Sequence, residues 1–93
     1  MGTHAFRLYV IPGSRSSELA INTLTQYCQQ FLPRGSYTVE LIDAMKERSS
    51  LAEEDIIIVP VLDRLLPAPK VRIMTGLASV EKLARALEAD PAC

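Results

Sequence analysis

Two cysteines, Cys28 and Cys93, are the residues with the most reactive chemistry in this chain. A thiol becomes a good nucleophile where a helix N-terminus or a nearby cation lowers its pKa, typically as Cys-x-x-Cys at a strand-to-helix junction. The first such junction here reads Ile11-Pro12-Gly13-Ser14-Arg15-Ser16-Ser17 and holds no cysteine. Serine cannot carry out the redox step. Cys28 falls on the apolar stripe of the first expected helix, so it reads as a core thiol. Two cysteines this far apart do not make a disulfide framework. A thiol enzyme using Cys28 or Cys93 remains the alternative from another class.

The other candidates are weaker. His4 has no second ligand or base at useful spacing. Glu53-Glu54-Asp55 could be paired carboxylates or a metal site, but acids at a helix start also serve the helix dipole. Pro12-Gly13-Ser14 before a helix could hold an anion, yet one glycine and no following lysine do not make a phosphate-binding loop. Arg64, Lys70 and Arg72 surround an expected hairpin. They read either as a solvated charged edge, which protects an edge strand from aggregation, or as a protein-docking patch. No catalytic constellation, metal set or cofactor motif emerges, which favours a binding module.

The elements that must position these residues follow from periodicity. Phe6, Leu8 and Val10 alternate with Arg7 and Tyr9, predicting a first strand over 5–11. Ala20, Ile21, Leu24, Tyr27, Cys28 and Phe31 recur at helical spacing, predicting a helix from about Ser17 to Leu32. Pro33-Arg34-Gly35-Ser36 stops it, and Tyr37 to Ile42 is a second strand, parallel to the first across a right-handed crossover. Ser50-Leu51-Ala52-Glu53 has capping-box spacing and predicts a short helix over Leu51–Ile57. A third strand over Val61–Leu65 and a fourth over Val71–Thr75 flank Leu66-Pro67-Ala68-Pro69, too short for a crossover, so they pair antiparallel. Gly76 turns the chain. Ser79 can cap a last helix with Val80, Leu83, Ala84 and Leu87 as its buried stripe, ending near Asp90-Pro91.

That order, βαβ-α-ββ-α, packs most simply as one mixed four-stranded sheet with helices on both faces. Asp55-Ile56-Ile57-Ile58-Val59-Pro60 reads as a buried loop delivering the chain into the third strand. A proline opening a strand in this order is the core of the thioredoxin fold, with Pro60 at the cis position.

The whole-chain properties agree. Ninety-three residues suit a single domain, 1–93, and 48% hydrophobic residues suit an ordinary core. Ten basic and eleven acidic residues leave a net charge of −1, so there is no general pull toward nucleic acid. No apolar run is long enough to span a bilayer, and no signal peptide or lipid anchor is expected. A cytoplasmic protein without cofactor, metal or membrane contact is the expectation.

Five short motifs in order carry a resemblance: Leu8-Tyr9-Val10 before a serine-rich helix start, Val39-Glu40-Leu41-Ile42-Asp43, Leu51-Ala52-Glu53-Glu54-Asp55, Val59-Pro60-Val61-Leu62 and Leu66-Pro67-Ala68-Pro69. Together they resemble the KaiB family of circadian-clock proteins over about Phe6 to Leu87. The resemblance implies a non-enzymatic protein that binds the CI ring of a KaiC-like ATPase, competes there with a SasA-type kinase and helps sequester a KaiA-like protein. It also implies fold switching, between a tetramer with a differently wired C-terminal half and a thioredoxin-like monomer. The helical pattern of 79–90 points to the thioredoxin-like state and a monomer, with the tetramer topology as the alternative. Arg72 matches a basic position of the family, and Arg64 and Lys70 accompany it as partner-binding candidates. Where the family carries a lysine after Leu-Ala-Glu-Glu-Asp, this chain has Ile56, and the turn after the fourth strand reads Thr75-Gly76-Leu77. A diverged paralogue serving another protein partner, for example in stress signalling, is the second functional expectation.

Overall fold

The computed structural model describes residues 3–88. Its elements are β1 (His4–Val10), α1 (Arg15–Phe31), β2 (Tyr37–Asp43), α2 (Arg48–Glu53), β3 (Val61–Leu66), β4 (Val71–Ile73) and α3 (Val80–Glu88). The strands form one sheet in the order β2-β1-β3-β4, with β1–β2 parallel and the other two pairs antiparallel. This is the mixed sheet expected from the sequence.

Period-two alternation sorts the side chains to two faces. Phe6, Leu8 and Val10 of β1 join Leu62 and Ile73 on the face covered by α1 and α3, with Leu24, Tyr27, Leu83 and Leu87 among the helical contributors. Tyr9 points the other way, and there Ile42, Ile56 and Val61 form a smaller cluster against Leu51 and Val59. Helices therefore flank both faces, two on one side and the short α2 on the other.

Local chemistry fixes the helix ends. Ser14 caps α1: its hydroxyl accepts from the Ser17 amide at 3.3 Å. Ser17 itself is fully buried, its Oγ accepting from the Ile11 amide at 2.9 Å. Ser79 caps α3, accepting from the Lys82 amide at 3.3 Å. Gly76, with φ of 78°, makes the left-handed turn ahead of it.

Three expectations are corrected. The second helix does not begin in a capping box at Ser50; it spans Arg48–Glu53, and Glu47 at its start makes no side-chain cap. Leu-Ala-Glu-Glu-Asp is instead the end of that helix. The Asp55 amide bonds to Ala52 O and the Ile56 amide to Leu51 O, with Asp55 at φ 58°. That is a Schellman closure with aspartate where glycine usually sits, and Ile56 buries beside Leu51 as the accompanying apolar contact. Nor is the loop after it buried throughout. Ile56 is inside, but Ile57 and Ile58 are 93% and 77% exposed. The Val59–Pro60 peptide is cis and β3 starts at Val61. The fourth strand ends at Ile73, two residues earlier than expected, and Asp90-Pro91 lie outside the described residues.

Candidate docking site

The sheet face that carries Tyr9 also carries a row of charged side chains. Arg7 lies opposite Glu40 of β2 and opposite Asp63 of β3, and Asp63 lies opposite Arg72 of β4. One row across all four strands therefore reads Glu40, Arg7, Asp63, Arg72, with alternating sign. Opposite charges in facing positions stabilise a sheet and like charges destabilise it. Arg7 Nε meets Glu40 Oε1 at 2.9 Å at the more exposed end of the row.

The buried end is more tightly organised. Asp63 is 0% exposed. Its Oδ1 accepts from Arg72 Nε at 2.7 Å and its Oδ2 from Arg72 Nη2 at 2.9 Å, the two-pronged geometry in which a guanidinium matches a carboxylate. Arg72 Nη1 also donates to the Glu54 carbonyl at 2.7 Å, and Nη2 to Glu54 Oε1 at 3.0 Å. Lys70 Nζ reaches Glu54 Oε1 at 2.8 Å and Asp63 Oδ2 at 3.6 Å. Two cations meet two anions, so the group is neutral as a whole.

The pKa directions follow from these contacts. The hydrogen bond from Lys70 holds the Glu54 carboxyl below its ordinary value, and the same bond raises the Lys70 ammonium. The hydrogen bond to Asp63 holds Arg72 firmly protonated.

Of the three basic residues singled out from sequence, Arg72 and Lys70 are thus brought together, half-turned into the molecule. Arg64 is not with them. It is 6% exposed on the opposite face, donating to Pro69 O at 3.1 Å and Leu87 O at 3.5 Å. Its burial removes it from any open basic rim. Asp63, which completes the cluster, was not singled out from sequence. Beside the partly exposed Lys70, this corner exposes an apolar tip: Ile57, Ile58 and Met74 border a cleft that also touches Asp55 and Arg72.

The remaining candidates do not converge. His4 is beside Thr3, 3.0 Å from its hydroxyl to Nδ1, and stacks near Phe6. Glu53-Glu54-Asp55 is at a helix C-terminus, and no group of His, Cys, Asp and Glu among the described residues could hold a metal. Cys28 is buried in the main core, and desolvation pushes its thiol up to about 11. Cys93 lies outside the described residues. No described helix is long and apolar enough to cross a membrane.

A family model described as the KaiB domain matches residues 7–89. The chain belongs to the KaiB family. It is 33% identical over 91 residues to the circadian clock protein KaiB3 of Synechocystis sp., covering 98% of this chain and 88% of that protein. It is 32% identical over 81 residues to the circadian clock oscillator protein KaiB of Prochlorococcus marinus, covering 87% and 76%. Among solved structures, the N-terminal domain of Synechococcus elongatus SasA superposes with a TM-score of 0.73 at 10% identity, covering 98% of this chain and 89% of that domain. A thioredoxin variant from Halobacterium salinarum gives 0.71 at 13%, covering 95% and 74%. These likenesses establish the thioredoxin-like fold. Among KaiB-family sequences the present chain is thus a circadian-clock-type protein whose strand-opening proline, Pro60, closes the exposed Ile57–Ile58 loop.

Proposed function

We propose that this KaiB-family chain acts by binding rather than catalysis, docking on the CI ring of a KaiC-like ATPase and competing there with a SasA-type kinase. The observation that carries the reading is the KaiB family match over residues 7–89, with 33% identity to a circadian clock protein KaiB3; the fold shared with the SasA N-terminal domain supports the competition. Two domains of one shape can contend for one surface. The docking corner is the β4 edge with Lys70 and Arg72, together with the Ile57–Ile58 tip beside it. A KaiA-like protein is a further partner that family membership suggests.

The chemistry of the chain supports a binding role. At the β1–α1 junction the Ser14 hydroxyl caps α1 and the Ser17 hydroxyl accepts from the Ile11 amide. The described thiol, Cys28, is buried and held protonated, the opposite of an activated nucleophile. We also infer that the thioredoxin-like form, as a monomer, is the resting state. An energy gap of about 2 kcal/mol would leave an alternative form at a few per cent. Helical backbone chemical shifts over Leu83–Leu87 are the expected result, and extended ones would overturn that inference.

The decisive experiment is co-elution with a KaiC-type ring, followed by displacement with the SasA N-terminal domain. A complex that the SasA domain dissociates is expected. No complex after days of incubation would refute the reading. The neutral Asp63–Arg72–Glu54–Lys70 cluster favours, as the second reading, a diverged paralogue that uses the same corner on a different protein partner.

A further inference from the structure

Asp63 is a charge placed where water cannot reach it, in the middle of a strand. Burying a carboxylate is costly unless it is paired and fully hydrogen-bonded. Arg72 meets both oxygens, and the nitrogens that do so are only part of its reach. Its remaining nitrogen donates 2.7 Å to the Glu54 carbonyl, the last residue before the chain turns left-handed at Asp55. Lys70 adds a second tie from the hairpin to the Glu54 side chain. These bonds run from the β3–β4 hairpin to the end of α2, where the loop 55–60 begins. That loop projects Ile57 and Ile58 into solvent.

We propose that Arg72, oriented by Asp63, is a positioning residue: it fastens the loop 55–60 to the hairpin so that the Ile57–Ile58 tip is held ready for contact. This rests on the docking reading above and divides the labour within that corner. The isoleucines make the contact. Arg72 is turned inward and holds them in place, with Lys70 tied to Glu54 beside it. Because the Arg72 charge is already matched inside the molecule, association depends little on salt, unlike docking through a free basic rim.

The test is amide hydrogen exchange by NMR on the full chain, comparing wild type with Arg72→Met. The amides of Asp55 and Ile56, which bond to Ala52 and Leu51, should exchange roughly tenfold faster or more, while Leu8 and Tyr9 in β1 keep their protection. Unchanged exchange in the loop overturns the proposal. So does an equal loss in loop and β1, which would make Arg72 a general stabiliser of the sheet. Should Arg72→Met fail to fold, Asp63→Leu/Arg72→Met removes both charges together; loop-confined loss supports the proposal and wild-type protection overturns it. On the KaiC-type ring, Ile57→Ser/Ile58→Ser should weaken binding at low and high salt alike. Binding that collapses with salt in the wild type overturns the inward role of Arg72. A wild-type chain that never binds the ring overturns the docking reading alone, since the exchange data still decide whether Arg72 holds the loop.

Discussion

Raising the pH should destabilise this protein in a way that a substitution at Cys28 isolates. Its side chain is packed among Phe6, Leu8 and Leu24 with 1% of its surface exposed, and loss of its proton would leave a thiolate in that core. Desolvation therefore carries the thiol from an ordinary 9.0 to about 11. The folded state binds this proton more tightly than the unfolded one. The corresponding stability is complete below pH 9 and drains away as pH climbs toward 11, because only the unfolded chain ionises in that interval. At about 1.4 kcal/mol per pH unit the complete loss is about 3 kcal/mol. Urea unfolding of wild type and Cys28→Ala at intervals between pH 8 and roughly pH 11 isolates the effect. The alanine lowers stability by an amount independent of pH, as any small cavity does, whereas the thiol contributes a slope. Curves that approach one another by about 2 kcal/mol by roughly pH 11 are expected. Parallel curves would show that the thiol does not sit in a dry core, and with that the packing of α1 on β1 would be in error.

Other perturbations have clear outcomes. Asp55→Gly relieves a non-glycine residue at φ 58° and should raise stability by about 0.5–1 kcal/mol in chemical denaturation, provided the Schellman closure is as described. Gly76→Ala should do the reverse, since φ is 78° and the new methyl would lie 3.1 Å from Lys82 Cβ; a lowered melting temperature checks it. Leu83→Ala opens the fully buried centre of the α1–α3 face and should cost about 2–5 kcal/mol. Ser14→Ala removes the α1 cap and should cost about 1 kcal/mol, read as a shift in urea midpoint.

The elements with long apolar periods were readable in the sequence. β1, α1 and α3 sit near their expected places because Phe6-Leu8-Val10, Ala20-Leu24-Tyr27-Cys28 and Leu83-Ala84-Leu87 each commit to one face. α2 was not, since six residues offer no period, and Ser50 with Glu53 fits a cap as readily as the interior of a helical turn. What ends that helix is a backbone angle at Asp55, a property aspartate only tolerates. The exposure of Ile57 and Ile58 was hidden for a related reason: β-branched apolar residues signal burial, and nothing local announces an exception. The place of Arg64 is legible in the strand pattern. Strict alternation puts it on the face of Leu62, and the hairpin register Asp63–Arg72 puts Arg72 on the other. The same alternation would have brought forward Asp63, the one acid in β3 and the partner that turns Arg72 inward.

The alternating row of charges also acts as an alignment key. β4 has three residues, too few to choose its own offset against β3 by backbone bonding alone. Sliding it by one position would drive the Arg72 guanidinium into the oily layer beneath α1 and α3, and sliding it by two would set Asp63 against Met74 with no cation, or against Lys70, whose single ammonium cannot replace the two-pronged guanidinium bond. The shortest strand of the sheet is thus locked in step by electrostatics, and a sequence change at either member of that pair would be felt first as a loss of strand alignment.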